Sequence, residues 1–470
     1  MLRKIRIILA AVFFIAITVM FLDPTGSVYK CFGWTAKLQF LPAVMGLNLV
    51  VIIITVIAAL LFGRVYCSVI CPLGVLHDVI SNISGRRKGK KNRFTSSKEI
   101  KWLRYGVWVL FVAAIIFGVN AFVTILAPYS AYGRIINGMK HPAIPTVIVA
   151  AVTLVVIAIL SWKNGRTYCN TICPVGTTLS FFSRFAMFRP VIDTEKCKDC
   201  KVCEKRCKAS CIDIAAHKVD YSRCVACFNC IDNCKFDALH YRFAWGKCSK
   251  AEAPVKAAEG EGTDTGRRAF MTGAALAIGA AALKAQEVPK RDGGFAEILP
   301  KVSPERAELI TPFGSKSVKD FYNRCTACQL CVSQCPNHIL KPSTDLNHFM
   351  QPYMTYENGY CRPECTICSQ VCPAGAIEPL TKEEKTSFHI GVAVLDRRLC
   401  VAHTDRIDCG NCARHCPTGA ITMVTHHEGL PLIPAVDEAK CIGCGACENL
   451  CPARPISAIH VNGLSVHKQD

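Results

Sequence analysis

Of the 31 cysteines in this 470-residue chain, 24 fall into six quartets whose spacing points to one chemistry. Cys197, Cys200, Cys203 and Cys207 are separated by two, two and three residues, and Cys224, Cys227, Cys230 and Cys234 repeat that spacing. So do Cys325, Cys328, Cys331 and Cys335, and again Cys441, Cys444, Cys447 and Cys451. Cys361, Cys365, Cys368 and Cys372 open with a gap of three, and Cys400, Cys409, Cys412 and Cys416 with a gap of eight. Three thiolates on one tight loop can hold three irons of a 4Fe-4S cube, while the fourth points away to the neighbouring cluster. That rule pairs Cys197, Cys200 and Cys203 with Cys234, and Cys224, Cys227 and Cys230 with Cys207. Cys325, Cys328 and Cys331 take Cys372, and Cys361, Cys365 and Cys368 take Cys335. Cys400, Cys409 and Cys412 take Cys451, and Cys441, Cys444 and Cys447 take Cys416. Six 4Fe-4S clusters in three two-cluster modules are expected.

Neither zinc nor disulfide chemistry repeats one ligand spacing in this way. Pro336, Pro373, Pro417 and Pro452 follow the fourth cysteine in the second half, as in bacterial ferredoxins, and Asp193, Asp220, Asp396 and Asp437 each stand four residues before a first cysteine. The first module departs from the pattern: Lys208 and Lys235 replace the prolines, and Cys211 competes with Cys207 as a ligand. Cys31 and Cys248 are isolated and read as bystander thiols.

The remaining four cysteines lie in a repeat. Gly63-Arg64, Tyr66, Cys67, Cys71-Pro72 and Gly74 recur as Gly165-Arg166, Tyr168, Cys169, Cys173-Pro174 and Gly176. Cys67, Cys71, Cys169 and Cys173 read as redox-active thiols, as ligands of a further metal centre near a quinone site, or as small packed residues.

The elements that must carry these motifs begin with four apolar stretches, at residues 5–22, 40–62, 105–127 and 143–162, each near the ~20 residues a membrane span needs. The formal charge of +20 is uneven: residues 1–284 carry +22 and residues 285–470 carry −2. Arg3, Lys4, Arg6 and the run from Arg86 to Lys101 place the amino terminus and that loop in the cytoplasm by the positive-inside rule. Without a basic globular face, nucleic-acid binding is not expected. No histidine lies in the four stretches and no Cys-x-x-Cys-His motif is present, so no haem is expected. Residues 251–265 read as a flexible linker, and Gly266-Arg267-Arg268-Ala269-Phe270 with the apolar run behind it resembles a twin-arginine export signal set inside the chain, a fifth span or a cleaved segment.

The expected fold is therefore a membrane α-helical bundle of four spans and a fifth, joined to α+β bacterial-type two-cluster ferredoxin modules. Residues 1–190 form the membrane domain, 191–250 a cytoplasmic module, 251–285 the linker and export-like segment, and 286–385 and 386–470 the two remaining, periplasmic modules of an inner-membrane protein.

On these residues a family resemblance rests. The four stretches, the paired Cys-x-x-x-Cys-Pro motifs and the first module resemble the NapH-type membrane polyferredoxins of periplasmic nitrate reductase systems, related to the NosR-type regulators. The segment from Gly266 onward resembles their NapG-type exported four-cluster partner, as if the two were fused. The resemblance implies a quinol dehydrogenase or electron-transfer subunit that takes electrons from the quinone pool to a periplasmic reductase or small carrier, without flavin. It carries the paired motifs of that family onto Cys67, Cys71, Cys169 and Cys173. Two alternatives stand beside it: a ferredoxin-driven relay without quinone, and an accessory factor that matures or reactivates a periplasmic metalloenzyme. His77, Asp78, Arg64 and Arg166, near the repeats, are candidates for moving protons or binding quinone, or are structural.

Overall fold

The computed structural model describes residues 2–23, 27–86, 94, 100–117, 119–140, 144–244, 291–292, 296–297, 299–425 and 431–469. The linker, the twin-arginine-like segment and Cys248 lie outside the described residues. The chain divides into two units, Met1–Trp245 with Ser303–Ala453 and Ser457–Asp470, and Gly246–Val302 with Arg454–Ile456. In the smaller unit Arg291–Asp292 pairs antiparallel with Ala296–Glu297, and the Val302 N–H donates to the Pro455 carbonyl at 2.9 Å.

Two helices of the larger unit, Leu2–Leu22 and Ile144–Asn164, have 21 residues each and are about 31 Å long, enough to cross a hydrocarbon core. The other two apolar stretches are not continuous helices. The second divides into Phe40–Met45 and Leu49–Phe62, and the third into Lys101–Phe117 and Asn120–Leu126. At the first break Leu47 takes a left-handed φ of 52° and Asn48 caps the following helix by accepting the Val51 N–H. At the second, the Val119 N–H reaches back to the Ala114 carbonyl, one residue beyond the helical partner. The first break lies where a later segment seats, since a Cβ at Gly46 would come within 2.8 Å of the Ala374 carbonyl, and five residues past the second, Thr124 donates to the Phe349 carbonyl.

The helices have an inside-out distribution of polarity. Ile8, Val12, Ile15, Leu49, Val50, Ile53, Val109, Leu110, Ile148 and Val152 are exposed, whereas Arg64, Arg104, Arg134, Arg166, His77, Asp78 and Asn137 are buried. Such a surface suits lipid rather than water.

Each ferredoxin module is tied by short antiparallel ladders. In the first, Phe188–Ile192 pairs with Leu239–Phe243 and Ile212–Asp213 with Lys218–Val219. Leu340–Pro342 pairs with Pro352–Met354 in the second. In the third, Phe388–Leu395 pairs with Ile459–Gln469 and Ile421–Val424 with Ile433–Val436. The four aspartates ahead of the first cysteines share one local device, since Asp193, Asp220, Asp396 and Asp437 each accept, through Oδ1, the N–H two residues on, at 2.9–3.1 Å. These Asx turns swing the chain from strand to cysteine loop.

Modules seat at both ends of the bundle. Near the start of the Leu2–Leu22 helix, Arg3 pairs with Asp232, and the Lys208 carbonyl accepts the Arg166 N–H at 2.9 Å. Beyond its other end Gln334 donates to the carbonyls of Met20 and Asp23, while Ser130 donates to the Thr326 carbonyl and Asn137 to Gln329 at 2.8 Å. The helical part is thus clasped between the first module and the second.

Candidate metal centres

The structure gathers the quartet cysteines in crossed sets. One cavity is lined by Cys224, Cys227 and Cys230 with Cys207, and a second by Cys361, Cys365 and Cys368 with Cys335. A third is lined by Cys441, Cys444 and Cys447 with Cys416, and a fourth by Cys400, Cys409 and Cys412 with Cys451. In the two remaining sets, Cys203 lies within electrostatic reach of Cys200 and Cys234, and Cys331 of Cys325, Cys328 and Cys372.

The backbone around these cavities is bent as a cluster requires. In four loops the residues flanking the second cysteine are left-handed: Asp199 and Lys201, Ala226 and Phe228, Ala327 and Gln329, and Gly443 and Gly445. Six of these are not glycine, and each such backbone costs on the order of 1–3 kcal/mol unless its surroundings enforce it. The curl wraps the loop around a central body, which is the fit a cube held by three thiolates demands. Sequence spacing gives no sign of it, because the side chains of Asp199, Lys201, Phe228 and Gln329 have nothing in common.

Cys211 does not stand apart from this arrangement. It lines the same cavity as Cys207, with the two sulfurs 3.5 Å apart, and its N–H points at the Cys207 sulfur. The Cys207 thiol is pulled down to about 7, first by the Cys211 S–H and then, against burial, by the N–H groups of Cys211, Ala209 and Ser210. Cys211 is pushed the other way by the same contact and by Cys224.

A residue without any spacing signal joins the second module. Lys385 is 1% exposed, and its ammonium donates to the Cys361 sulfur at 3.2 Å and to the carbonyls of Arg362 and Cys365. Its helix, Lys382–Thr386, is fixed by a capping box in which Thr381 and Glu384 bond reciprocally.

The membrane repeat is explained residue by residue. Gly63 and Gly165 hold left-handed φ of 76° and 77°. Arg64 donates to the Cys169 carbonyl at 2.9 Å, and Arg166 to the Cys67 carbonyl at 2.7 Å, so each repeat straps the other. Cys71 and Cys173 cap helices that begin with Pro72 and Pro174, the Gly176 N–H lying 3.4 Å from the Cys173 sulfur. Tyr66 donates to Gln39 and accepts the Phe40 N–H, and Tyr168 donates to the Leu126 carbonyl. A Cβ at Gly74 would lie 2.1 Å from the Cys67 carbonyl, and one at Gly176 2.3 Å from that of Cys169. Gly176→Ala is accordingly expected to cost about 1–3 kcal/mol through overpacking. Thermal unfolding in detergent measures it, with Gly106→Ala as control, since a Cβ there meets nothing within 4 Å.

Of the four polar residues named beside the repeats, Asp78 binds Arg166, Arg6 and Lys208, and His77 bonds Ser161 and stacks on Tyr168. All four are tied to neighbouring residues, Arg64 and Arg166 also through the carbonyls named above. Cys31, in the Ser27–Lys37 helix, is exposed.

Curled cysteine loops on ladder modules, set against an apolar-faced helical bundle, define a membrane-associated iron–sulfur electron-transfer protein of ferredoxin type. Comparison with known proteins agrees. A 4Fe-4S binding domain family matches residues 44–91 and 144–191, and a 4Fe-4S dicluster domain family matches 324–401 and 405–454. The methylamine utilization ferredoxin-type protein MauM of Paracoccus denitrificans is 30% identical over 39% of this chain and 82% of its own length. MauM of Methylobacillus flagellatus is 37% identical over 31% of this chain and 64% of its own. The regulatory protein NosR of Stutzerimonas stutzeri is 25% identical over 38% of this chain and 24% of its own. The chain belongs to the family of ferredoxin-type iron–sulfur proteins that includes MauM.

Proposed function

We propose that the chain oxidises quinol at the membrane and carries the electrons through six 4Fe-4S clusters to a reductase or small carrier outside the cytoplasm. The seating of ferredoxin modules at both ends of an apolar-faced bundle supports this reading most. The ligands are the six crossed sets, with Cys207 completing the cluster of Cys224, Cys227 and Cys230 and Cys211 beside it. The two broken helices complete four membrane crossings, with the first module on the cytoplasmic side, where Arg3, Arg6 and the basic run near Arg86 also lie, and the other two outside. In this reading the chain works as the NapH-type and NapG-type proteins it resembles are expected to work.

Each quinol gives up two electrons and two protons, and the clusters accept the electrons singly. The module surfaces suit terminal exchange: Cys200 is exposed and Cys197 half-buried at one limit, while Cys400 and Cys409 are half-buried at the other. The purified chain in nanodiscs, mixed anaerobically with a menaquinol analogue, is expected to show electron paramagnetic resonance signals of reduced clusters. Clusters that stay oxidised with quinol, yet are reduced by ferredoxin, would instead establish the relay without quinone.

A further inference from the structure

The second and third modules touch at their cluster ligands. The Cys361 N–H donates to the Cys444 carbonyl at 2.9 Å, and the crossed sets give those two cysteines to different clusters, one in each module. Among the described residues it is the one hydrogen bond that joins the backbones of ligands from two modules. Tyr356 fills the space beside it. The side chain is wholly buried within electrostatic reach of both cysteines, and its hydroxyl donates to the Gly443 carbonyl at 2.6 Å. From the third module Asn449 donates to the Tyr356 carbonyl at 2.7 Å, and Arg306, itself paired with Glu448, lies over the ring at 5.8 Å.

The glycine after Cys444 answers to this seam rather than to the cluster. A left-handed residue follows the second cysteine in three other loops, where it is Lys201, Phe228 or Gln329, so the curl itself admits a side chain. At the equivalent Gly445 a Cβ would lie 2.2 Å from the Tyr356 ring, whereas carbon atoms in contact stay about 3.5–4.0 Å apart. The ring occupies the room of a side chain. Gly410, after the second cysteine of the Cys400 quartet, has a similar φ of 63°, yet a Cβ there would come no closer than 3.8 Å, to Met423.

We propose that electrons pass between the second and third modules at this one junction, from the cluster of Cys361, Cys365, Cys368 and Cys335 to that of Cys441, Cys444, Cys447 and Cys416. Tyr356 and Gly445 are positioning residues that hold the two clusters at the distance the transfer needs. The inference rests on reading the chain as an electron relay, and it fixes the order of four clusters. The set of Cys325, Cys328, Cys331 and Cys372 comes first, against the helical part, since a Cβ at Gly133 would lie 2.1 Å from the Cys328 carbonyl. Within each module a short helix, Leu330–Gln334 or Ala446–Leu450, leads from the third cysteine of one set to the fourth, which serves the other set. The set of Cys400, Cys409, Cys412 and Cys451 therefore comes last, with Cys400 and Cys409 half-buried. At the junction one cluster gives up an electron and is oxidised, and the next takes it and is reduced. No bond is made or broken. Electron tunnelling falls exponentially with distance, so a seam opened by an ångström slows that step alone.

Gly445→Ala is the wedge and Gly410→Ala its control, both made in full-length protein isolated anaerobically and checked for wild-type iron and sulfide content. In the fully reduced protein, clusters on either side of the seam broaden one another's electron paramagnetic resonance lines. That broadening is expected to weaken in Gly445→Ala and to persist in Gly410→Ala. In proteoliposomes with the reductant confined to the first-module side, rapid freeze-quenching is expected to show the third-module clusters reduced at least about tenfold more slowly in Gly445→Ala, with the second-module clusters at the wild-type rate. If Gly445→Ala loses iron, Tyr356→Leu opens the same seam without adding a Cβ to the cysteine loop, and Tyr356→Phe, which keeps the ring, is expected to retain most of the rate. Line broadening and third-module rates that match wild type in an iron-replete Gly445→Ala or Tyr356→Leu protein overturn the junction. The relay fails separately. Wild-type protein whose second-module clusters are not reduced from that side removes the relay, whereas line broadening that responds to Gly445→Ala keeps the junction.

Discussion

Asp78→Ala is expected to destabilise the protein by about 3–5 kcal/mol, the cost of leaving buried charge without its partner. One carboxylate receives three cations from three parts of the chain: Arg6 at 2.8 Å from the first helix, Arg166 at 2.9 Å from the second repeat, and Lys208 at 3.4 Å from the first ferredoxin module. Burial opposes ionisation of Asp78, but Arg166, Lys208 and Arg6 outweigh it and hold the carboxyl well below the usual carboxylate range. The stabilisation is therefore complete above the unfolded carboxyl pKa of about 3.9 and drains away only as the pH falls below it. Thermal unfolding in detergent at neutral pH measures the loss. Asp78→Asn, which keeps hydrogen-bonding capacity but not charge, is expected to fall between wild type and Asp78→Ala. An Asp78→Ala protein as stable as wild type would mean that the three cations find other compensation.

Lys385→Met is expected to lower the reduction potential of the second-module cluster that Cys361, Cys365, Cys368 and Cys335 would hold. The ammonium sits 3.2 Å from the Cys361 sulfur, wholly buried, and with its positive charge it stabilises the more negative, reduced state. A charged hydrogen bond of about 1.5–3 kcal/mol corresponds to roughly 65–130 mV for a one-electron couple. Potentiometric titration followed by electron paramagnetic resonance resolves that cluster from the others. Lys385→Arg, with its charge retained, should restore most of the potential. If Lys385→Met left the titration unchanged, the ammonium would be only a strut between carbonyls. The position matters because the next module begins close by. The Cys361 N–H donates to the Cys444 carbonyl at 2.9 Å, and Tyr356, in reach of both cysteines, bonds the Gly443 carbonyl.

How far the sequence could be read depended on the range of the interaction involved. Cysteine spacing is local, and the aspartates four residues ahead of a first cysteine mark a turn closed within three residues, so both were legible. The repeat was legible as a pattern, though not the reason for it: Gly74 is small because the Cys67 carbonyl lies against it, and Arg64 is there to strap a loop some hundred residues on. The first interruption was illegible, because Gly46 beside it meets the Ala374 carbonyl, far away in sequence. Lys385 was invisible for the same reason. Nothing in its neighbours says that Cys361 waits beside it, and a lysine after two glutamates looks like a solvated surface helix.

The reciprocal straps also bear on the order of biosynthesis. Arg166 follows Cys67 by 99 residues, so the first Cys-Pro corner emerges with no partner to close over it. At roughly 5–20 residues per second, that corner waits about 5–20 s for its mate. For that interval the Cys67 carbonyl lacks its strap, and a chain truncated between the repeats would never gain it.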